Sequence, residues 1–171
     1  MFLKAGRLLY IVRAVEFQKR GLPHAHILLK YERDCVHPND IDAVVNAEMP
    51  SDPSDAQLVH TYMMHSHPPP SKPASKYCQK VDVEGHRHCR FGYPQQLQPS
   101  TTIDAEGRVH HRRRQGGDQM IVPHCLPLLR KFQCHLNFEV ANTSHLFQYL
   151  FKYIHKGAVV LTSLHLLLTA F

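Results

Sequence analysis

Near its start the chain carries two apolar runs, Leu8–Phe17 and His24–Tyr31, separated by the connection Gln18-Lys19-Arg20-Gly21-Leu22-Pro23. Runs rich in Leu, Ile, Val and Tyr, broken by Gly and Pro, predict a β-hairpin. The second run alternates, which sets His24, His26 and Leu28 on one strand face and Ala25, Ile27 and Leu29 on the other. Ile41, Val44 and Val45 follow Pro38-Asn39-Asp40 at helical spacing and predict a helix over Asp40–Ala47; Asp55–Met64, after Pro53-Ser54, predicts another.

Between His65 and His111 this periodicity dissolves. Pro68, Pro69, Pro70, Pro73, Pro94 and Pro99 interrupt regular structure while His and Cys become concentrated, so residues 65–111 are expected to form an irregular insertion. A strand pair is expected around Thr101–Arg113, turning at Asp104-Ala105-Glu106-Gly107, and it leads into Met120–Pro123 and a β-like run, Gln133–Val140. The last predicted element is a helix, Ser144–Lys156, with Ser144 or Thr143 as N-cap and Gly157 just past its end. The pattern is that of an α+β domain: an antiparallel sheet with flanking helices.

At 171 residues there is room for one domain with a real core. A formal charge of +6, with fifteen histidines able to add more in mild acid, suits a polyanionic partner such as nucleic acid or simply a solvated basic surface. Five cysteines without C-x-x-C spacing, and no secretory signal before them, point to a reducing compartment: nuclear or otherwise intracellular, and not secreted. The apolar stretch Ala158–Phe171 is interrupted by Thr162, Ser163 and His165 and is too short to span a bilayer, so no membrane segment is expected. The absence of a G-x-x-x-x-G-K-[ST] loop from the sequence excludes ATP binding of the P-loop kind.

His24 and His26, roughly 6.6 Å apart along one strand face, can converge on one divalent cation. Glu16 on the preceding strand has the parity to complete a His-His-Glu set, as does Gln18. Such a set with open positions suits Mg²⁺ or Mn²⁺ bridging a phosphate, the imidazoles favouring Mn²⁺ or another transition metal on affinity; packing of the two histidines in a core is the alternative.

Tyr149 and Tyr153 stand four residues apart, on the edge of the apolar stripe Leu146, Phe147, Leu150, Phe151 and Ile154, with Lys156 beside them on the polar side. Two phenols so placed can serve one site, and a phenolate attacking a phosphodiester conserves the bond energy as a phosphotyrosine; Lys156 would lower the phenol pKa. Ordinary amphipathic packing produces the same spacing.

His65, His67, Cys78 and Cys89 have the chemistry of a structural zinc site, although ten residues separate Cys78 from Cys89 where common fingers have two to four; a plain irregular loop is the alternative. His110-His111-Arg112-Arg113-Arg114, with Lys80, Arg87 and Arg90, can track a DNA backbone while Tyr77, Phe91 and Tyr93 stack on unpaired bases. A solvated charged face would look the same.

From Val15 to Leu28 the sequence VEFQKRGLPHAHIL closely resembles the Helitron helicase-like (Rep) domain of rolling-circle transposons. Cys89-Arg90-Phe91-Gly92-Tyr93-Pro94, the stretch around Ile121-Val122-Pro123, Phe132–Glu139 and Tyr149–Gly157 are similar to later blocks of that family, in order. The resemblance covers about residues 8–157, so that 1–157 reads as a partial Rep nuclease domain and 158–171 as a tail outside it. It implies an HUH endonuclease, which cuts single-stranded DNA by tyrosine attack and stays linked to the 5′ end, with His24 and His26 as metal ligands and Tyr149 and Tyr153 as nucleophiles. It further implies an antiparallel sheet of about five strands, with the histidines on a central one. Members carry an upstream strand block and a downstream helicase domain that this sequence lacks, which reads as a truncated copy. The expected activity is single-strand nicking and strand transfer; the alternative is a catalytically dead, DNA-binding transposon remnant.

Overall fold

The structure, a computed structural model, describes residues 6–17, 23–76, 78–141 and 165–170, with backbone only at Ala14, Glu16, Phe17, Pro23, Ala141 and 165–170. The expected hairpin is present: β1 (Leu8–Phe17) pairs antiparallel with β2 (Pro23–Tyr31) in a register that opposes Glu16 to His24 and Ala14 to His26.

Two further strands complete the sheet among the described residues. β7 (Leu136–Ala141) falls within the apolar run expected at Gln133–Val140, and β8 (His165–Ala170) inserts between β2 and β7, giving the order β1-β2-β8-β7, antiparallel throughout. Residues 165–170, which the sequence reading set outside the nuclease-like region, thus supply an interior strand. A run such as His165-Leu166-Leu167-Leu168 lacks the polar alternation of a half-exposed strand, which is why it did not announce itself as one.

One face of this sheet carries the core. Ile27, Leu29 and Tyr31 from β2 and Leu136, Phe138 and Val140 from β7 pack with Ile41, Val45, Val59, Met63, Ile121, Val122, Cys125 and Leu129. The covering helices are α1 (Pro38–Asp42), α2 (Pro53–Tyr62) and α3 (Leu126–Phe132). Helix α1 stops short of the expected Ala47, and α2 starts two residues early because Pro53 occupies its first turn and the Asp52 side chain accepts the Asp55 amide at 3.0 Å. Helix α3 is too short for its periodicity to stand out; it ends where Gln133 adopts a left-handed conformation, φ 46°. The Arg130 guanidinium grips Asp55 through both carboxylate oxygens and ties α3 to α2.

The insertion has more order than its prolines suggest. β3 (Gln79–Val81) and β4 (Arg87–Cys89) form one hairpin; β5 (Thr102–Ile103) and β6 (Val109–His110) form the expected second one, turning at Gly107 with φ +78°. No described helix is long and apolar enough to cross a membrane.

Candidate metal centres and the basic run

Two histidine-bearing clusters stand out among the described residues: a stacked pair on the sheet, and one group whose ligating atoms lie close enough to hold a metal ion. The first lies on the sheet face opposite the core. His24 and His26 are buried at 6% and 4% exposure, and their rings stack with centroids 4.4 Å apart and planes 22° from parallel. Strand alternation explains the pairing: residues two apart share a face, and β2 is an interior strand, so both rings stand on one face of the sheet, away from its edges. Position 16 stands directly across from His24, and directly opposed positions of an antiparallel pair share a face.

The register extends this face across the sheet. His26 opposes Thr169, which opposes Asn137; Leu28 opposes Leu167, which opposes Glu139. Asn137 Oδ1 is buried with no hydrogen-bond partner, and Glu139 Oε2 lies 3.0 Å from His111 Nε2. The alternation Leu136-Asn137-Phe138-Glu139-Val140 holds this information in the sequence, but only the pairing through β8 reveals that its polar half shares a face with the histidines.

Tyr149, Tyr153 and Lys156, with the helix expected at Ser144–Lys156, lie outside the described residues, as do Gln18 and Tyr77.

The second group is His65, His67, Cys78 and Cys89, whose ligating atoms all lie within 4.8 Å of one another. His65 Nε2 is 3.0 Å from His67 Nε2 and 3.5 Å from Cys89 Sγ. The wide cysteine spacing proves compatible with one site, because the intervening residues form the β3–β4 hairpin and return Cys89 to the register position opposite Gln79, next to Cys78. Tyr93 stacks on the His65 ring at 4.3 Å. Burial is the main cause of two shifts here: it lowers the pKa of His65, helped by the neighbouring His67 and His135, and it pushes the Tyr93 phenol up to about 12.

The fold divides the basic run His110–Arg114, expected to track a DNA backbone: Arg113 is enclosed, whereas the Arg114 side chain is 60% exposed. Arg113 is buried, at 3% exposure, and its Nη1 donates to the carbonyls of Ala47 at 3.2 Å, Ile121 at 2.8 Å and Asp118. A guanidinium so enclosed cannot reach a phosphate. Arg112 and Arg114 both grip Glu48, Arg112 reaches Asp42 at 3.4 Å as well, and His110 sits 2.9 Å from Asp104. The run ties the second hairpin to the segment after α1. Arg90 is exposed, its guanidinium 4.6 Å over the Phe91 ring, and Arg87 donates to the Lys72 carbonyl at 2.7 Å.

Comparison with models of known protein families, with curated proteins and with solved structures finds no match for this chain.

The geometry therefore separates two kinds of chemistry. The histidine pair on the sheet sets two imidazoles side by side on an interior strand, with position 16 opposed to one of them in register. The His/Cys group supplies four protein donors, enough to close a coordination sphere.

Proposed function

We propose that the chain is a metal-dependent endonuclease and strand transferase acting on single-stranded DNA, of the Helitron helicase-like (HUH) type. The observation that carries the reading is the pair of buried, stacked imidazoles of His24 and His26 with Glu16 opposed to His24 in register, within the segment Val15–Leu28 whose sequence resembles that family.

In this reading His24, His26 and Glu16 hold Mn²⁺ or Mg²⁺, which when bound polarises the scissile phosphate and offsets charge developing on it. Tyr149 or Tyr153 attacks phosphorus as the phenolate, its proton passing to solvent. The bond from phosphorus to tyrosine oxygen forms as the bond from phosphorus to the 3′ oxygen breaks, and that oxygen leaves as a protonated 3′-hydroxyl. The product is a 5′-phosphotyrosyl adduct whose bond energy lets a later 3′-hydroxyl reverse the step, so joining needs no ATP. Lys156 favours the phenolate by its positive charge. The chain's remaining partner is the single strand itself, met by exposed groups such as Arg90 and Phe91.

The test is incubation with labelled single-stranded oligonucleotides and Mn²⁺, followed by denaturing electrophoresis. A protein–DNA band is expected, lost with EDTA and lost in the Tyr149→Phe, Tyr153→Phe double variant. An adduct that survives the double variant overturns the tyrosine assignment. A folded chain that binds the oligonucleotide without forming an adduct is the DNA-binding remnant instead.

A further inference from the structure

The β3–β4 hairpin poses a stability problem. Among the described residues from Ser66 to Gly92, Cys78 is the only buried one, so the segment has no hydrophobic core of its own. An isolated two-stranded hairpin is marginal at best in water. Something other than apolar burial must fix it.

The four side chains that converge at its base have the composition to do so. Cys78 precedes β3 and Cys89 ends β4, and the Arg90 amide donates to the Cys78 carbonyl at 2.7 Å, closing the hairpin where the two sulfurs stand. His65 arrives from the opposite direction. It follows Met64, which bridges Ile121, and its own amide donates to the Met120 carbonyl at 2.8 Å, so its backbone belongs to the core. With Zn–N about 2.0–2.1 Å and Zn–S about 2.3 Å, tetrahedral neighbours lie about 3.3–3.8 Å apart. The 3.5 Å from His65 Nε2 to Cys89 Sγ falls in that range, and all four donors lie within 4.8 Å of one another.

We propose that His65, His67, Cys78 and Cys89 bind one structural zinc ion, which clamps the β3–β4 hairpin to the end of α2. Two thiolates and two neutral imidazoles neutralise a dication, which removes the cost of placing charge in a half-buried site. Binding releases the two thiol protons to solvent. Thiolate donors select against Mg²⁺, Ca²⁺ and Mn²⁺, and four protein ligands leave no open position for catalysis. The centre is thus distinct in chemistry and place from the His24–His26 pair, and the proposal does not depend on the nicking reading.

The experiment is titration of the reduced, metal-free full chain with Co²⁺, followed by displacement with Zn²⁺. Tetrahedral visible bands with a thiolate-to-cobalt charge-transfer band are expected, saturating near about one equivalent and bleached by Zn²⁺. The charge-transfer band should persist in the His24→Ala, His26→Ala double variant and disappear in Cys78→Ser and in Cys89→Ser. Limited proteolysis should cut the metal-free chain between residues 66 and 92 and spare the zinc-loaded one. Absence of the charge-transfer band in the unaltered chain overturns the proposal, and that measurement requires no variant to fold. A band that survives both cysteine substitutions and is lost on changing Cys35, Cys125 or Cys134 overturns it equally.

Discussion

Glu48 accepts a 2.7 Å hydrogen bond from Arg114 Nε on one carboxylate oxygen and a 3.0 Å bond from Arg112 Nε on the other, joining parts of the chain more than sixty residues apart. The carboxylate is nearly buried while both guanidinium groups reach solvent, so it is the carboxylate whose removal leaves the larger unbalanced demand. Glu48→Ala is expected to destabilise the chain by about 1–3 kcal/mol, the lower part of the range reflecting solvent screening of the arginines. Urea denaturation checks it; an unchanged midpoint would show that the network adds nothing to stability.

Acid should weaken the fold through the same network. Burial alone would raise the Glu48 carboxyl, but the hydrogen bond from Arg114 and the charges of Arg112 and Arg114 outweigh it, so its pKa is below the usual range; Asp55 is likewise lowered, chiefly by its hydrogen bonds from Arg130. A group whose folded pKa is depressed contributes stability above its unfolded pKa and loses it as pH falls through the folded value. The contribution of Glu48 and Asp55 should therefore be constant near neutrality and decline below about pH 4, where free carboxyls begin to protonate, whereas His65 and His124, both lowered by burial, add a loss that begins as pH falls through about 6.5. In Glu48→Gln that decline should be shallower, measured by thermal unfolding across the acid range.

Arg113 and Arg114 are neighbours in sequence with opposite fates, one enclosed by carbonyls and one at the surface. Arg113→Ala should cost about 2–4 kcal/mol by leaving buried carbonyls unsatisfied. If the folded fraction of that variant binds single-stranded DNA, the slope of log affinity against log salt should equal that of the unaltered chain. A slope reduced by about one charge would mean that Arg113 does contact phosphate after all.

Strand β8 separates β2 from β7, so ending the chain before His165 would leave both neighbours with open edges. Such a variant is expected to be insoluble or to lose most β-sheet signal in circular dichroism. A soluble, cooperatively folding product would show that β2 and β7 do not need the strand between them.

What the sequence by itself determined was local and periodic. Alternation over His24–Tyr31 placed both histidines on one face, and Asp104-Ala105-Glu106-Gly107 marked a turn, because strand parity and turn conformations are set by residues adjacent in the chain. The hairpin partners were legible too, but the tertiary structure alone decided that β8 lies between β2 and β7, since its pairing with β2 joins residues more than a hundred apart in sequence. It also decided the fate of charge: a run of arginines reads the same whether it faces solvent or carboxylates, and only the packing of the second hairpin against the segment around Glu48 enclosed Arg113 while pairing Arg112 and Arg114 with Glu48 at the surface. The cysteine spacing worked the same way, with ten intervening residues looking too many for a metal site until the β3–β4 hairpin folded them back on themselves.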